Sequence, residues 1–176
     1  MNTELNETIR GIFEVWYRNW YVFRKQITVN FLAPFIEPIL YLAAIGYGIG
    51  SYVSGDVEGL PYVVFIAPAI LAGAVMNASF FECVFGTFVR TNYLKTYDAV
   101  LATPITVREI VLGEIIWGAT RSLLYAAAIY LVLVIMNLTT PGISLLVLPL
   151  SFLAGLLFGA LAVAIAAIAP SIETLN

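Results

Sequence analysis

Histidine is missing from this chain of 176 residues, and cysteine occurs once, as Cys83. Without histidine the chain lacks the side chain that most often binds metals or carries protons near neutral pH. A single cysteine excludes any internal disulfide and any thiolate metal cluster. Charge is scarce as well, at 11% of residues, against about 25% in an average soluble domain. No G-x-x-x-x-G-K-[ST] loop occurs, and Gly46, Gly48 and Gly50 do not fit G-x-G-x-x-G, so the sequence holds no recognisable nucleotide cradle. No basic cluster points to nucleic acid, and the formal charge of -3 says less than the placement of the basic residues.

What fills the space is hydrocarbon. Hydrophobic residues make up 61% of the chain, and several segments are apolar around their whole circumference, where a soluble helix shows only a stripe. The expected fold is all-α: a polytopic membrane protein with an N-terminal interfacial amphipathic helix, four transmembrane helices and a short cytoplasmic helix in the linker between the second and third. Residues 1–25 form the interfacial helix, with Leu5, Ile9, Ile12, Phe13, Trp16, Trp20 and Phe23 at three- and four-residue steps and Glu7, Glu14 and Arg18 opposite. Glu14 and Arg18 are spaced to pair, and Trp16 and Trp20 have the rings that settle at a bilayer surface. The other reading is an ordinary helix packed on a soluble domain. The segment lacks a basic n-region followed by a short apolar run, so it is read as part of the mature protein and not as a signal peptide.

Residues 26–176 form the transmembrane domain, with spans at about 26–50, 61–89, 106–136 and 143–169. The first would rise roughly 37 Å, enough to cross about 30 Å of hydrocarbon with tilt. Pro68 is placed to kink the second, Thr106 and Glu109 supply a capping box for the third, and Pro170 closes the fourth. Seven of the eight Lys and Arg residues fall before residue 26 or within 90–108, and none in the 51–60 and 137–142 turns. Both basic segments, and the N-terminus, are therefore expected in the cytoplasm, and four spans alternate in direction without conflict. Ser171 with Ile172, Glu173 and Thr174 reads as the start of a further helix.

Of the charged residues within the spans, Glu37, Glu82 and Arg121 are the candidates for an intramembrane polar site or gate. Glu37, between Pro34 and Pro38, falls near the bilayer midplane, where a carboxylate must be neutral, paired or facing a wet cavity. It lines a substrate path or gate, or it holds two helices together as a protonated acid. Arg121 lies close enough to the cytoplasmic boundary to snorkel, with Glu114 two turns earlier and Glu82 at similar depth as candidate counter-ions. Such an inner-leaflet charge cluster either anchors the topology or touches substrate. Ser151, Gly155, Gly159, Ala162 and Ala166 form a small-residue side on the last span, read as internal packing in preference to a dimer face. Asn77 and Asn137 match the glycosylation pattern, one inside a span and the other by chance.

The linker Tyr97-Asp98-Ala99-Val100-Leu101-Ala102-Thr103-Pro104, followed by Glu109-Ile-Val-Leu-Gly-Glu114, resembles the second cytoplasmic segment of ABC-2 type exporter permeases, nearest the branch handling lipooligosaccharides and nodulation factors. Pro34, Glu37, Pro38 and the Gly46-Tyr47-Gly48 end are similar to that family's opening helix. The resemblance implies a dimer of two permease copies in the cell inner membrane or plasma membrane, on separate ATPase subunits that carry ATP and magnesium. No cofactor is expected in this chain. Tyr97, Asp98, Ala99, Val100, Leu101 and Thr103 match the coupling helix that docks on the ATPase; read without the family, the linker folds back on its own helix ends. A family member would continue through two further spans, so the sequence reads as truncated. The expected activity is export of an amphipathic substrate such as a lipid-linked saccharide, lipid or drug, without covalent chemistry. The alternatives are a membrane-embedded enzyme or channel with a Glu37/Glu82/Arg121 polar site, and a purely structural subunit.

Overall fold

The computed structural model describes residues 2–26, 36–37, 39–52 and 57–175. Among them the chain is helical throughout, apart from turns and a single antiparallel bridge between Val57 and Leu60. Helix α1 runs Asn2–Lys25, with Glu4 in its first turn and Arg24 and Lys25 in its last, charges that suit both ends of the helix dipole. Of the expected first span, residues 36–37 and 39–41 are α-helical, Leu42–Gly48 widens into a π-helix and Ile49–Tyr52 tightens to 3-10. Pro34, Pro38 and residues 27–33 lie outside the described residues.

Helix α2 spans Tyr62–Phe88 and starts after Pro61, whose missing N–H is no loss at a helix start. It runs into a π-helical turn, Val89–Tyr93, and Lys95, in the left-handed region at φ 50°, turns the chain into the short α3, Thr96–Leu101. The Thr106 side chain then accepts from the Glu109 N–H while Glu109 returns a bond to the Thr106 N–H, the expected capping box, and α4 runs Val107–Ile135. Asn137, at φ 56°, and Gly142, at φ 153°, shape the turn into a 3-10 segment, Ile143–Leu146, and α5, Val147–Ile168. Ala169 before Pro170 is extended, as a residue preceding proline prefers, and ends α5. A 3-10 turn, Ile172–Leu175, follows at the site of the expected new helix start.

Three helices among the described residues are long and apolar enough to cross a membrane: Tyr62–Tyr93, Val107–Ile135 and Ile143–Ile168. They correspond to the second, third and fourth expected spans. Helices α2, α4 and α5 pack on one another, and α1 lies along α4. The small-residue side of α5 faces inward, with Ser151, Gly155, Gly159, Ala162 and Ala166 all buried. A Cβ on Gly155 would stand 2.7 Å from the Ala119 Cα, so glycine is what lets α4 and α5 meet backbone to backbone. Ser79 Oγ crosses from α2 to the Gly155 carbonyl at 2.7 Å.

Helix α1 divides the expected apolar stripe between packing on α4 and exposure. Its buried line is Gly11, Val15, Asn19 and Phe23, one step round from the expected stripe; Ile12, Trp16 and Trp20 flank it half-buried. Leu5, Ile9, Phe13, Tyr17 and Tyr21 remain exposed along a separate line. The physical reason is close approach: a Cβ on Gly113 would lie 2.7 Å from Val15 and one on Gly11 2.7 Å from Glu109, so a glycine on each helix makes room for a side chain of the other.

Candidate functional site

A network of charges sits where α1, α2 and α4 converge. On α4, Glu114, Trp117 and Arg121 recur at steps of three and four and so share one face. On α2, Glu82 projects toward them, and Arg90, in the π-turn, folds back over Gly86; a side chain on Gly86 would meet the Arg90 Nη1 at 2.9 Å. Arg90 then bridges two carboxylates, donating from Nη1 to Glu114 Oε2 at 2.7 Å and from Nη2 to Glu82 Oε1 at 3.0 Å. Glu114 is fully buried and also receives Arg18 Nη2 of α1 at 2.8 Å. Glu82 accepts the Trp117 indole N–H at 2.9 Å and lies 3.7 Å from Arg121 Nε.

The structure brings Glu82, Glu114 and Arg121 together and chooses between the two expected counter-ions: Arg121 faces Glu82, and Glu114 serves Arg18 and Arg90. The expected Glu14–Arg18 pair does not form. Glu14 meets Arg10 on the exposed side at 3.9 Å, while Arg18 turns inward to a buried carboxylate in lower dielectric, the stronger partner. Arg121 is flanked by two rings, its guanidinium carbon 4.9 Å from the Phe23 centroid and 5.5 Å from that of Tyr125. Sequence reading did not assign Arg18, Arg90, Asn19 or Trp117 to this site; the only available signal was the excess of arginine near both carboxylates.

The tryptophans expected as surface anchors are half-buried on α4. Trp16 donates to Thr120 Oγ1 at 3.0 Å, and stacks on Trp20 with centroids 5.9 Å apart. Trp20 in turn meets Trp117 edge-on.

The linker abuts this network. Tyr97 of α3 is buried with Val15 and Ile110, and Arg18 lies over its ring at 5.6 Å. Burial and then the Glu114 charge push the Tyr97 phenol well above its ordinary range, so it stays protonated. Val100 also turns inward onto this cluster. Asp98, Ala99, Leu101 and Thr103 face outward, and Tyr93, Leu94 and Val107 add exposed apolar surface beside them. The Thr103 hydroxyl donates to the Val100 carbonyl at 2.6 Å and closes the end of the short helix.

Glu37 stands elsewhere. It is exposed and lines a cavity of about 320 Å³ with Tyr41, Ile66, Ile70, Gly73 and Asn77. Asn77 is at mid-length of α2, so the cavity puts a carboxylate and an amide beside the middle of a candidate span. Glu82 and Arg121 line a different cavity of about 140 Å³, so the three residues of the alternative polar site are not brought together in one pocket.

Comparison with known proteins bears on the same helices. The model of the ABC-2 type transporter family matches residues 10–176. Nodulation protein J of Rhizobium meliloti (strain 1021) is 36% identical over 159 residues, 90% of this chain and 60% of that protein. Nodulation protein J of Sinorhizobium fredii is 35% identical over the same shares of both chains. The inner membrane transport permease YadH of Escherichia coli (strain K12) is 26% identical over 109 residues, 62% of this chain and 42% of that one. The chain thus spans about 60% of the length of the nodulation J relatives. No solved structure matches it.

Proposed function

Because the chain belongs to the ABC-2 type transporter family, we propose that it supplies the membrane-spanning part of an exporter driven by a separate ATP-binding cassette ATPase. In this reading residues 26–50 add a first span to the three long apolar helices, and a second copy completes a dimer. The basic N-terminal segment and the linker face the cytoplasm. ATP and magnesium reside on the ATPase. The location is the cell inner membrane or plasma membrane, in keeping with the name of the Escherichia coli relative. The cargo is an amphipathic molecule such as a lipid-linked saccharide, lipid or drug, leaving along a path that Glu37 and Asn77 line.

The observation that carries this reading is the seating of α3. A helix of six residues, Thr96–Leu101, has Tyr97 buried and Val100 half-buried against α1 and α4 while Ala99 and Leu101 remain exposed next to Tyr93 and Leu94. Inward residues tie the linker to the charge network; outward residues give a partner an apolar hold. A push on α3 is therefore felt at Arg18 and Glu114, which join α1, α2 and α4. Trp16 and Trp20 keep α1 on α4 while its exposed line of Leu5, Ile9, Phe13, Tyr17 and Tyr21 rests in the membrane interface.

The test replaces outward residues only. Ala99→Asp with Leu101→Asp leaves the buried side of α3 intact and is expected to abolish co-purification of the ATPase and transport, with unchanged yield and melting temperature of the permease. Undiminished association in that variant rejects coupling through α3. Glu37→Gln is expected to lower transport with ATPase association intact; normal transport would reduce Glu37 to packing.

A further inference from the structure

We propose that the cavity between α1, α2 and α4 binds the phosphate of an anionic lipid headgroup; the lipid source rests on the membrane reading above. The cavity measures about 140 Å³ and is lined by Asn19, Phe23, Gln26, Glu82, Trp117 and Arg121, with Arg90 at its wall. That volume holds a phosphate group and not a second acyl chain. Its chemistry is that of donors in excess. Among the described residues Arg18, Arg90 and Arg121 face only Glu82 and Glu114, three positive charges against two negative. Among the described residues Glu37 pairs with none of the three arginines.

Of the two arginines lining the cavity, Arg90 is hydrogen-bonded to both carboxylates and Arg121 to neither. Arg121 is 9% exposed, and its Nε has no hydrogen-bond partner among the described residues, the Glu82 oxygen at 3.7 Å being beyond bonding distance. Phe23 and Tyr125 cover its guanidinium from two sides, which fixes the plane and leaves the donor edges for a ligand. Asn19, 3% exposed, uses its Oδ1 to accept from Arg18 and leaves Nδ2 buried without a partner among the described residues. Glu82 does not repel an anion here with a free charge: Arg90 and Trp117 hold one oxygen and Arg121 faces the other. A buried guanidinium Nε–H and a buried amide N–H, both without a hydrogen-bond acceptor among the described residues and both at one cavity, are costly in a membrane protein unless an acceptor meets them. The acceptor at hand is the phosphodiester of a membrane lipid, because Val22 and Gln26 at the rim are exposed. Guanidinium and phosphate match in fork geometry.

The full chain, purified in a zwitterionic detergent, is titrated with phosphatidylglycerol, phosphatidylcholine or inorganic phosphate, and retained lipid is counted by native mass spectrometry beside the melting temperature. Phosphatidylglycerol is expected to be held at least tenfold more tightly than phosphatidylcholine, and Arg121→Gln to erase the difference. Arg10→Gln, at an exposed arginine, should keep it. Equal retention of both lipids by the unaltered chain overturns the site, as does an undiminished preference in Arg121→Gln. If inorganic phosphate alone stabilises the protein, the lipid assignment is wrong and a free anion is the ligand. Should Arg121→Gln not fold, Gln26→Glu at the rim must weaken phosphatidylglycerol retention tenfold, and no change there rejects the proposal. None of these readouts involves the ATPase, so loss of coupling through α3 and loss of lipid binding are separable results.

Discussion

At Glu114 both oxygens are committed, one to Arg18 and one to Arg90, and no part of the side chain reaches solvent. Glutamine in its place presents one acceptor and one donor, so one guanidinium meets an N–H instead of an oxygen. Removing one partner of a buried pair costs about 3–5 kcal/mol, and because both arginines remain partly accessible the lower end applies. Glu114→Gln is therefore expected to lower unfolding free energy in mixed micelles by about 3 kcal/mol. Combining it with Arg18→Gln should cost less than the two single changes together, since one interaction is then counted twice. Tyr97 gives a pH dependence whose sign follows from its raised pKa. The folded state holds the phenolic proton more tightly than the unfolded chain, so its contribution is intact below the ordinary phenol value of about 10 and is lost as pH rises toward the folded value. Tyr97→Phe should flatten the alkaline fall in melting temperature; an unchanged alkaline limb contradicts this.

Among the helices, the contacts between glycine faces set which substitutions matter. Gly155→Ala drives a methyl group to within 2.7 Å of the α4 backbone and 2.8 Å of Ser122, and overpacking of this kind costs about 1–3 kcal/mol. Gly73→Ala, also in a helix interior, meets nothing within 4 Å and should be neutral or stabilise by up to about 1 kcal/mol through helix propensity. Thermal melts of the two variants, moving in different directions, would separate packing from propensity. Helix ends governed by neighbours in sequence were readable in advance: the Thr106–Glu109 capping box, the Thr103-Pro104 break and the Pro170 stop all rest on residues within four positions. The buried face of α1 was not. Gly11 and Gly113 decide it by allowing close approach, and residues a hundred positions apart leave no periodic trace of each other. Arg18 illustrates the same limit, because a local partner at the right spacing, Glu14, was available and a buried one 96 residues away prevailed.

For the whole molecule, membrane character followed from composition alone, while the wiring of the charged site needed the fold. Eight basic residues are few enough that their positions determine orientation, and seven of them lie in two segments separated by an even number of expected spans. Orientation in turn decides whether an ATPase can reach α3, so one labelling experiment tests the mechanism. The native cysteine, Cys83, is fully buried with its thiol against the Glu114 carbonyl at 3.5 Å, and it should stay silent toward impermeant maleimides in the folded protein. Single cysteines introduced at exposed positions then report cleanly. Asp98→Cys, on the outward side of α3, is expected to react only after the cells are permeabilised. Ile143→Cys, in the turn before α5 and 88% exposed, should react in intact cells. Reaction at position 98 from outside would put the linker on the wrong side for an energy-supplying partner. The arginine network would then hold α1, α2 and α4 together without transmitting any push from α3.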